Sequence, residues 1–164
     1  VIAASANLRA FLDTIAWSEG TSTSPATRNN GYDVIVTGAD GRPEIFADYG
    51  AHPFAAGRAP KLINSAGLKS TASGRYQHML RDWAHYRDQL LLSDFGPASQ
   101  DAWAIQLIRE RRALPLIEAG RFADAVAAVS NLWASLPGAN YAGQPMRKIA
   151  QLTSIYSAAG GRLA

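Results

Sequence analysis

The chain has 164 residues, 48% of them hydrophobic, and a formal charge of +3. That is enough apolar material for one compact domain or a tight two-lobed one, and it excludes global disorder. Absence of cysteine excludes disulfides, thiolate chemistry and cysteine-ligated zinc, and no apolar run approaches the roughly 20 residues of a membrane span.

The first element is a helix. Leu8, Phe11, Leu12, Ile15 and Ala16 recur at three- and four-residue spacing, with Asn7 as its expected cap. Gly20 and the TSTSP run stop it, which places Glu19 in the last turn. Residues 21–70 show little helical periodicity. Tyr32 to Val36 reads as a short strand, Gly38 to Gly41 as a turn, and Ile45, Phe46 and Tyr49 as a second extended piece. His52 to Pro60 reads as a long loop. The remainder is helical. Gly74 to Gln77 is expected to open a helix through Met79, Leu80, Trp83 and Tyr86. Ser99 or a residue near it is expected to cap a long helix carrying Trp103, Ile105, Leu107 and Ile108. Leu114 to Ile117, Phe122 to Trp133 and Met146 to Tyr156 complete the set, and two Gly/Pro-rich stretches bracket Asn140 and Tyr141. A start at Val1 rather than Met leaves room for a removed leader or anchor.

The familiar chemistries find little support. His52, His78 and His85 form no HExxH pattern, and no Asp/Asn calcium loop is present, so no metal site is expected. There is no GxSxG, no Walker A and no GxGxxG after a strand, so neither a serine nucleophile nor a nucleotide cofactor is indicated. The mild basicity suits a polyanion. However, the Arg109, Arg111 and Arg112 cluster is interrupted by Glu110 and flanked by Asp101, Glu118 and Asp124, which argues against nucleic acid.

Glu19 is the residue of interest. Taken alone it is a glutamate near a helix end, and most such residues are solvated. Trp17 before it and Gly20 after it change that balance, since a small neighbour admits a bulky substrate and burial raises a carboxyl pKa. Glycosidic cleavage needs such a protonated acid beside the leaving oxygen. Tyr32, Tyr76, Gln77, Asn131, Trp133 and Tyr141 are candidate groove aromatics and amides.

Six stretches carry a family resemblance: FLDTIAWSEGT from Phe11, TRNNGYDVIVTG from Thr27, FADYGAHP from Phe46, LKSTASGRYQ from Leu68, FGPASQDAWAIQLI from Phe95 and SNLWASLPGANYAGQ from Ser130. In order and over nearly the whole chain, they resemble the lambda-phage-type lysozyme family, peptidoglycan lytic transglycosylases that serve as phage endolysins. The resemblance implies an α+β, lysozyme-like fold: a mostly helical lobe around a long central helix, a small three-stranded antiparallel sheet lobe, and a cleft between them. It implies a single catalytic domain over 1–164, with the sheet and lip lobe at about 21–70 and the helical lobe at 1–20 and 71–164. The catalytic acid falls on Glu19. Tyr32, Asp33, Tyr76, Gln77, Asn131, Asn140 and Tyr141 become substrate-binding candidates. The two lips fall on His52 to Pro60, longer here than in the family, and on Leu136 to Gln144. The expected partner is bacterial peptidoglycan, with no cofactor, no metal, no nucleic acid and no stable membrane insertion, and the expected state is a monomer. The expected place of synthesis is the cytoplasm of a phage-infected bacterium, with action in its wall or periplasm.

The same resemblance implies cleavage between N-acetylmuramic acid and N-acetylglucosamine by lytic transglycosylation, giving 1,6-anhydromuramic ends. Alternatives stay open. Asp33 about 5 Å from Glu19 would permit retaining hydrolysis, and about 6.5–9.5 Å away an inverting one. A structural role for Asp33 is the plainer expectation. Other classes are a non-catalytic glycan-binding module and a basic membrane-disrupting protein, the latter disfavoured by the lack of a strongly cationic amphipathic helix.

Overall fold

A computed structural model describes residues 3–138 and 147–164. Among the described residues six helices and four short strands follow in order: α1 (Ala6–Ser18), β1 (Val34–Ile35), β2 (Glu44–Ile45), β3 (Lys61–Leu62), β4 (Lys69–Ser70), α2 (Leu80–Leu90), α3 (Pro97–Glu110), α4 (Leu114–Glu118), α5 (Phe122–Val129) and α6 (Ile149–Ala158). The fold is mixed α+β, mostly helical with a smaller β portion, as expected. No helix among the described residues is long and apolar enough to cross a membrane. The chain divides into two compact units, one of residues 1–19 and 104–164, the other of residues 20–103.

The first unit is built of helices. α1 buries Leu8, Phe11, Leu12 and Ile15 at the spacing that predicted it. Phe11 meets Phe122 of α5 edge-on at 5.9 Å, and Phe122 stacks on Tyr156 of α6 at 4.4 Å. The cap differs from expectation. Ser5, not Asn7, caps α1, its Oγ accepting the Leu8 N–H at 3.0 Å. Asn7 is instead a buried strut: its Nδ2 donates to Ile117 O and its Oδ1 accepts the Arg162 N–H. The helix expected over Phe122 to Trp133 ends at Val129, and the last helix starts at Ile149.

The second unit carries the strands. β1 pairs antiparallel with β2, Val34 opposite Ile45, and β3 with β4, Lys61 opposite Ser70. The expected three-stranded sheet is therefore corrected to two two-stranded ribbons among the described residues. The free edge of β1 does begin to gain a third strand. Val36 N–H donates to Ala72 O and Gly74 N–H to Val34 O, with an isolated bridge from Ile35 to Ser73. Gly74 then turns at φ +78 and ends the pairing after that single bridge. Ser73 bridges back to His78 across the turn, so 74–77 is a tight loop rather than the helix start expected there, and α2 begins at Leu80. The long helix starts at Pro97, ahead of Ser99, whose hydroxyl is used on Asp94.

This unit has an aromatic core. His78 lies parallel on Trp103 at 4.1 Å, with Trp83, Tyr86 and Phe95 around it. Its Nε2 donates to Gln100 O, and burial pushes its pKa down to about 3, which keeps the ring neutral near pH 7. His52 is buried too. Its Nδ1 accepts the Phe54 N–H, which leaves the proton on Nε2 for His78 O. The loop expected as an exposed lip is thus anchored at His52 and Phe54, and only residues 55–60 of it are exposed.

Candidate active site

Glu19 is the C-cap of α1. Its N–H closes the last turn on Ile15 O at 2.9 Å, and Gly20 at φ +76 ends the helix behind it. The residue keeps a partly exposed face, yet its carboxyl is enclosed, and burial holds the pKa above the ordinary 4.5. The negative end of the helix dipole acts in the same sense. Three weaker influences oppose it: the Ser135 hydroxyl, which donates to Oε1 at 2.7 Å, the Ser135 N–H, and the charge of Arg147. Burial is the largest, so the group favours its protonated form more than a solvated glutamate does.

Local packing places these neighbours. After α5 the chain makes two tight turns, Leu132 N–H to Val129 O and Leu136 N–H to Trp133 O. Trp133 and Leu136 are 3% and 0% exposed. Trp133, expected as a stacking aromatic, is an anchor that fixes the position of Ser135. The Ser135 carbonyl accepts the Arg147 N–H at 2.8 Å. The Arg147 guanidinium lies over the Trp17 ring at 4.9 Å, and Ser18 donates its hydroxyl to Ser135 Oγ at 2.8 Å. Trp17, Ser18, Glu19, Ser135 and Arg147 therefore form one cluster in the first unit.

A second cluster lies wholly in the second unit. Asp101 Oδ1 accepts both the Tyr32 hydroxyl at 2.8 Å and the Tyr76 hydroxyl at 2.6 Å. The Arg75 guanidinium lies 5.2 Å from the Tyr32 ring and 5.7 Å from the Tyr76 ring, and its Nε donates to Asn30 O. Burial and Asp101 raise the pKa of both phenols, so both remain neutral donors. Gln100 ties the backbone together. Its Oε1 accepts the Arg75 N–H, and its Nε2 donates to Tyr32 O and Phe95 O.

The expected substrate residues separate on this evidence. Tyr32 is partly exposed, and its hydroxyl is held by Asp101. Tyr76 is 1% exposed and offers no stacking face; its hydroxyl serves Asp101. Gln77 is partly exposed, sits at φ +53, and donates its amide to Gly74 O. Asn131 is exposed on the turn after α5. Asn140 and Tyr141 lie outside the described residues. Asp33 is 4% exposed, and both carboxylate oxygens are engaged, Oδ1 by the Thr27 hydroxyl at 2.5 Å and Oδ2 by the Arg28 N–H at 2.9 Å. It closes the loop from Thr27 to Asp33 by accepting from residues five and six positions earlier.

Ser18, Ser135, Arg147, Gln100 and Asp101 escaped the sequence reading as site residues. Small polar side chains gain a role only from distant partners, and nothing in their local pattern announces it. Ser18, Gln100, Asp101 and Ser135 do lie inside three of the resembling stretches, which is the one available signal.

Comparison with known proteins gives clear matches. Residues 9–163 match the family described as Endolysin. The endolysin of Escherichia phage P2 is 58% identical over 155 residues, covering 94% of this chain and 93% of the relative. That of Escherichia phage lambda is 50% identical over 155 residues, covering 93% and 90%. Among solved structures, bacteriophage lambda lysozyme complexed with a chitohexasaccharide superposes with a TM-score of 0.89 at 47% identity over 100% of both chains. A second structure of the lysozyme from bacteriophage lambda gives 0.85 at 45%, again over 100% of both. The chain belongs to the endolysin family.

Proposed function

We propose that this protein cuts the β-1,4 bond between N-acetylmuramic acid and N-acetylglucosamine by lytic transglycosylation, with Glu19 as acid and then base. The coarser activity, glycan cleavage of the lysozyme or transglycosylase type on peptidoglycan, accompanies membership of the endolysin family. The relative with a chitohexasaccharide in its structure supports an extended glycan as the substrate.

One observation carries the finer reading. Glu19 has an enclosed carboxyl with a raised pKa, whereas Asp33, the candidate second carboxylate, is buried and committed to Thr27 and Arg28. Hydrolytic glycosidases normally need two working carboxyl groups. Transglycosylation needs one. Glu19 gives its proton to the glycosidic oxygen as the C1–O bond breaks, and N-acetylglucosamine leaves with that proton as a free 4-hydroxyl. The resulting carboxylate takes the proton of the C6 hydroxyl of the same muramic acid. That oxygen attacks C1, the 1,6-anhydro ring forms, and Glu19 is protonated again with no water consumed. A nucleophile within the substrate brings a high effective concentration, on the order of 10⁵ M or more in well-oriented cases.

In this reading Tyr32 offers the glycan an aromatic ring and Gln77 and Asn131 polar contacts, while Asp33 and Tyr76 hold their own loops in place. The enzyme works as a monomer, is made in the cytoplasm of a phage-infected bacterium and acts on the wall or periplasmic peptidoglycan of that host. The mild positive charge aids encounter with an acidic polymer, so added salt slows the initial rate. The test is a pair of variants assayed on purified sacculi. Glu19→Gln is expected to abolish turnover and Asp33→Asn, once corrected for the folded fraction, to keep it. An active Glu19→Gln removes the assignment. A correctly folded but inactive Asp33→Asn favours hydrolysis with two carboxylates.

A further inference from the structure

Two serines hold the Glu19 carboxyl from one side, and their hydroxyls run in one direction. Ser18 Oγ–H donates to Ser135 Oγ at 2.8 Å, and Ser135 Oγ–H donates to Glu19 Oε1 at 2.7 Å. A hydroxyl has one proton to give. Because Ser18 supplies the hydrogen bond that the Ser135 oxygen accepts, the Ser135 proton is directed at Glu19. Both serines are buried, 3% and 9% exposed, so each hydroxyl needs its partner. Ser135 is fixed from three further directions: by the buried side chains of Trp133 and Leu136, and by its carbonyl on Arg147 N–H.

We propose that Ser135, oriented by Ser18, is a positioning residue for the reaction: its hydroxyl on Oε1 and its N–H on the same carboxyl hold the plane of the Glu19 carboxyl through both proton transfers. The proposal rests on Glu19 being the acid and base. The acid proton passes from the carboxyl to the leaving oxygen as the glycosidic bond breaks. The carboxylate then keeps the Ser135 bonds and receives the proton of the attacking hydroxyl. The same geometry serves both halves, and the carboxyl does not turn between them. Arg147, over Trp17, is the charged group that acts on Glu19, and a change at either serine leaves that charge in place.

The experiment combines kcat–pH profiles on soluble glycan strands with a ¹³C-carboxyl NMR titration of Glu19, for wild type, Ser135→Ala, Ser135→Thr and Ser18→Ala. Loss of orientation in Ser135→Ala is expected to lower kcat by roughly 10- to 100-fold with KM nearly unchanged. Loss of a donor to the carboxylate moves the Glu19 titration and the basic limb of kcat upward in pH. Ser135→Thr, which keeps the hydroxyl, restores most of the rate, and Ser18→Ala gives a smaller change in the same direction. An unmoved titration in Ser135→Ala, or a threonine variant no better than alanine, overturns the proposal. If Ser135→Ala does not fold, the Ser18→Ala titration decides: an upward shift supports the relay and no shift overturns it. An active Glu19→Gln would instead remove the acid assignment beneath it. An inactive Glu19→Gln beside an unaltered Ser135→Ala rejects the relay alone.

Discussion

Replacing Gly74 with alanine should be costly, and the reason lies in the chain's own geometry. Gly74 has φ +78, where an L-residue is strained by roughly 1–2 kcal/mol. A Cβ there would sit 2.2 Å from Gln100 Oε1 and 2.6 Å from its Cδ. Gln100 is 0% exposed and has nowhere cheap to go, since it bonds Arg75 N–H, Tyr32 O and Phe95 O. Displacing it strands buried backbone groups at about 1–3 kcal/mol each. With strain and one or two lost bonds the total is about 3–6 kcal/mol, much of the roughly 5–15 kcal/mol that holds a domain folded. Urea melts followed by tryptophan fluorescence measure it. The Gly74→Ala, Gln100→Ala double variant should recover the clash but not the strain, giving a coupling of about 1 kcal/mol or more. A Gly74→Ala protein within about 1 kcal/mol of wild type would refute the contact between these two segments.

Two pH predictions follow from the buried titratable groups. Folding raises the Glu19 pKa, so Glu19 stabilises the fold below its unfolded value near 4.5 and loses that contribution as pH rises through the folded one. Glu19→Gln should therefore match wild type in Tm at low pH and exceed it at neutral pH; a variant less stable at pH 7 than wild type would contradict the burial argument. Folding depresses the His78 pKa from 6.5 to about 3, so its stabilisation is complete above 6.5 and drains away as pH falls toward 3. Wild-type unfolding free energy should fall over that window more steeply than that of His78→Phe, and parallel slopes would exclude His78 as the cause.

The sequence carried much of this where local pattern and structure agree. The 3–4 spacing of α1 and the glycine behind it place Glu19 at a helix end. Caps were harder. Asn7 looks like a cap because its type favours one, but its partners, Ile117 and Arg162, lie 110 and 155 residues away and draw it into the core. The turn at 74–77 hid behind the helical spacing of Trp83 and Tyr86, since periodicity does not mark where backbone φ changes sign. Tyr32 and Tyr76 have the same side chain and nearly the same bond to Asp101, yet one is partly exposed and the other is buried. Burial of that kind is decided by tertiary packing. The Ser18 and Ser135 pair is the extreme case, two common residues 117 apart whose meeting beside Glu19 no spacing rule foretells.

The central claim is that one carboxylate suffices because the substrate supplies its own nucleophile. Mass spectrometry of muropeptides released in ¹⁸O-water tests it directly. The account predicts 1,6-anhydromuramic ends without ¹⁸O; reducing ends that carry the label would show hydrolysis and contradict it.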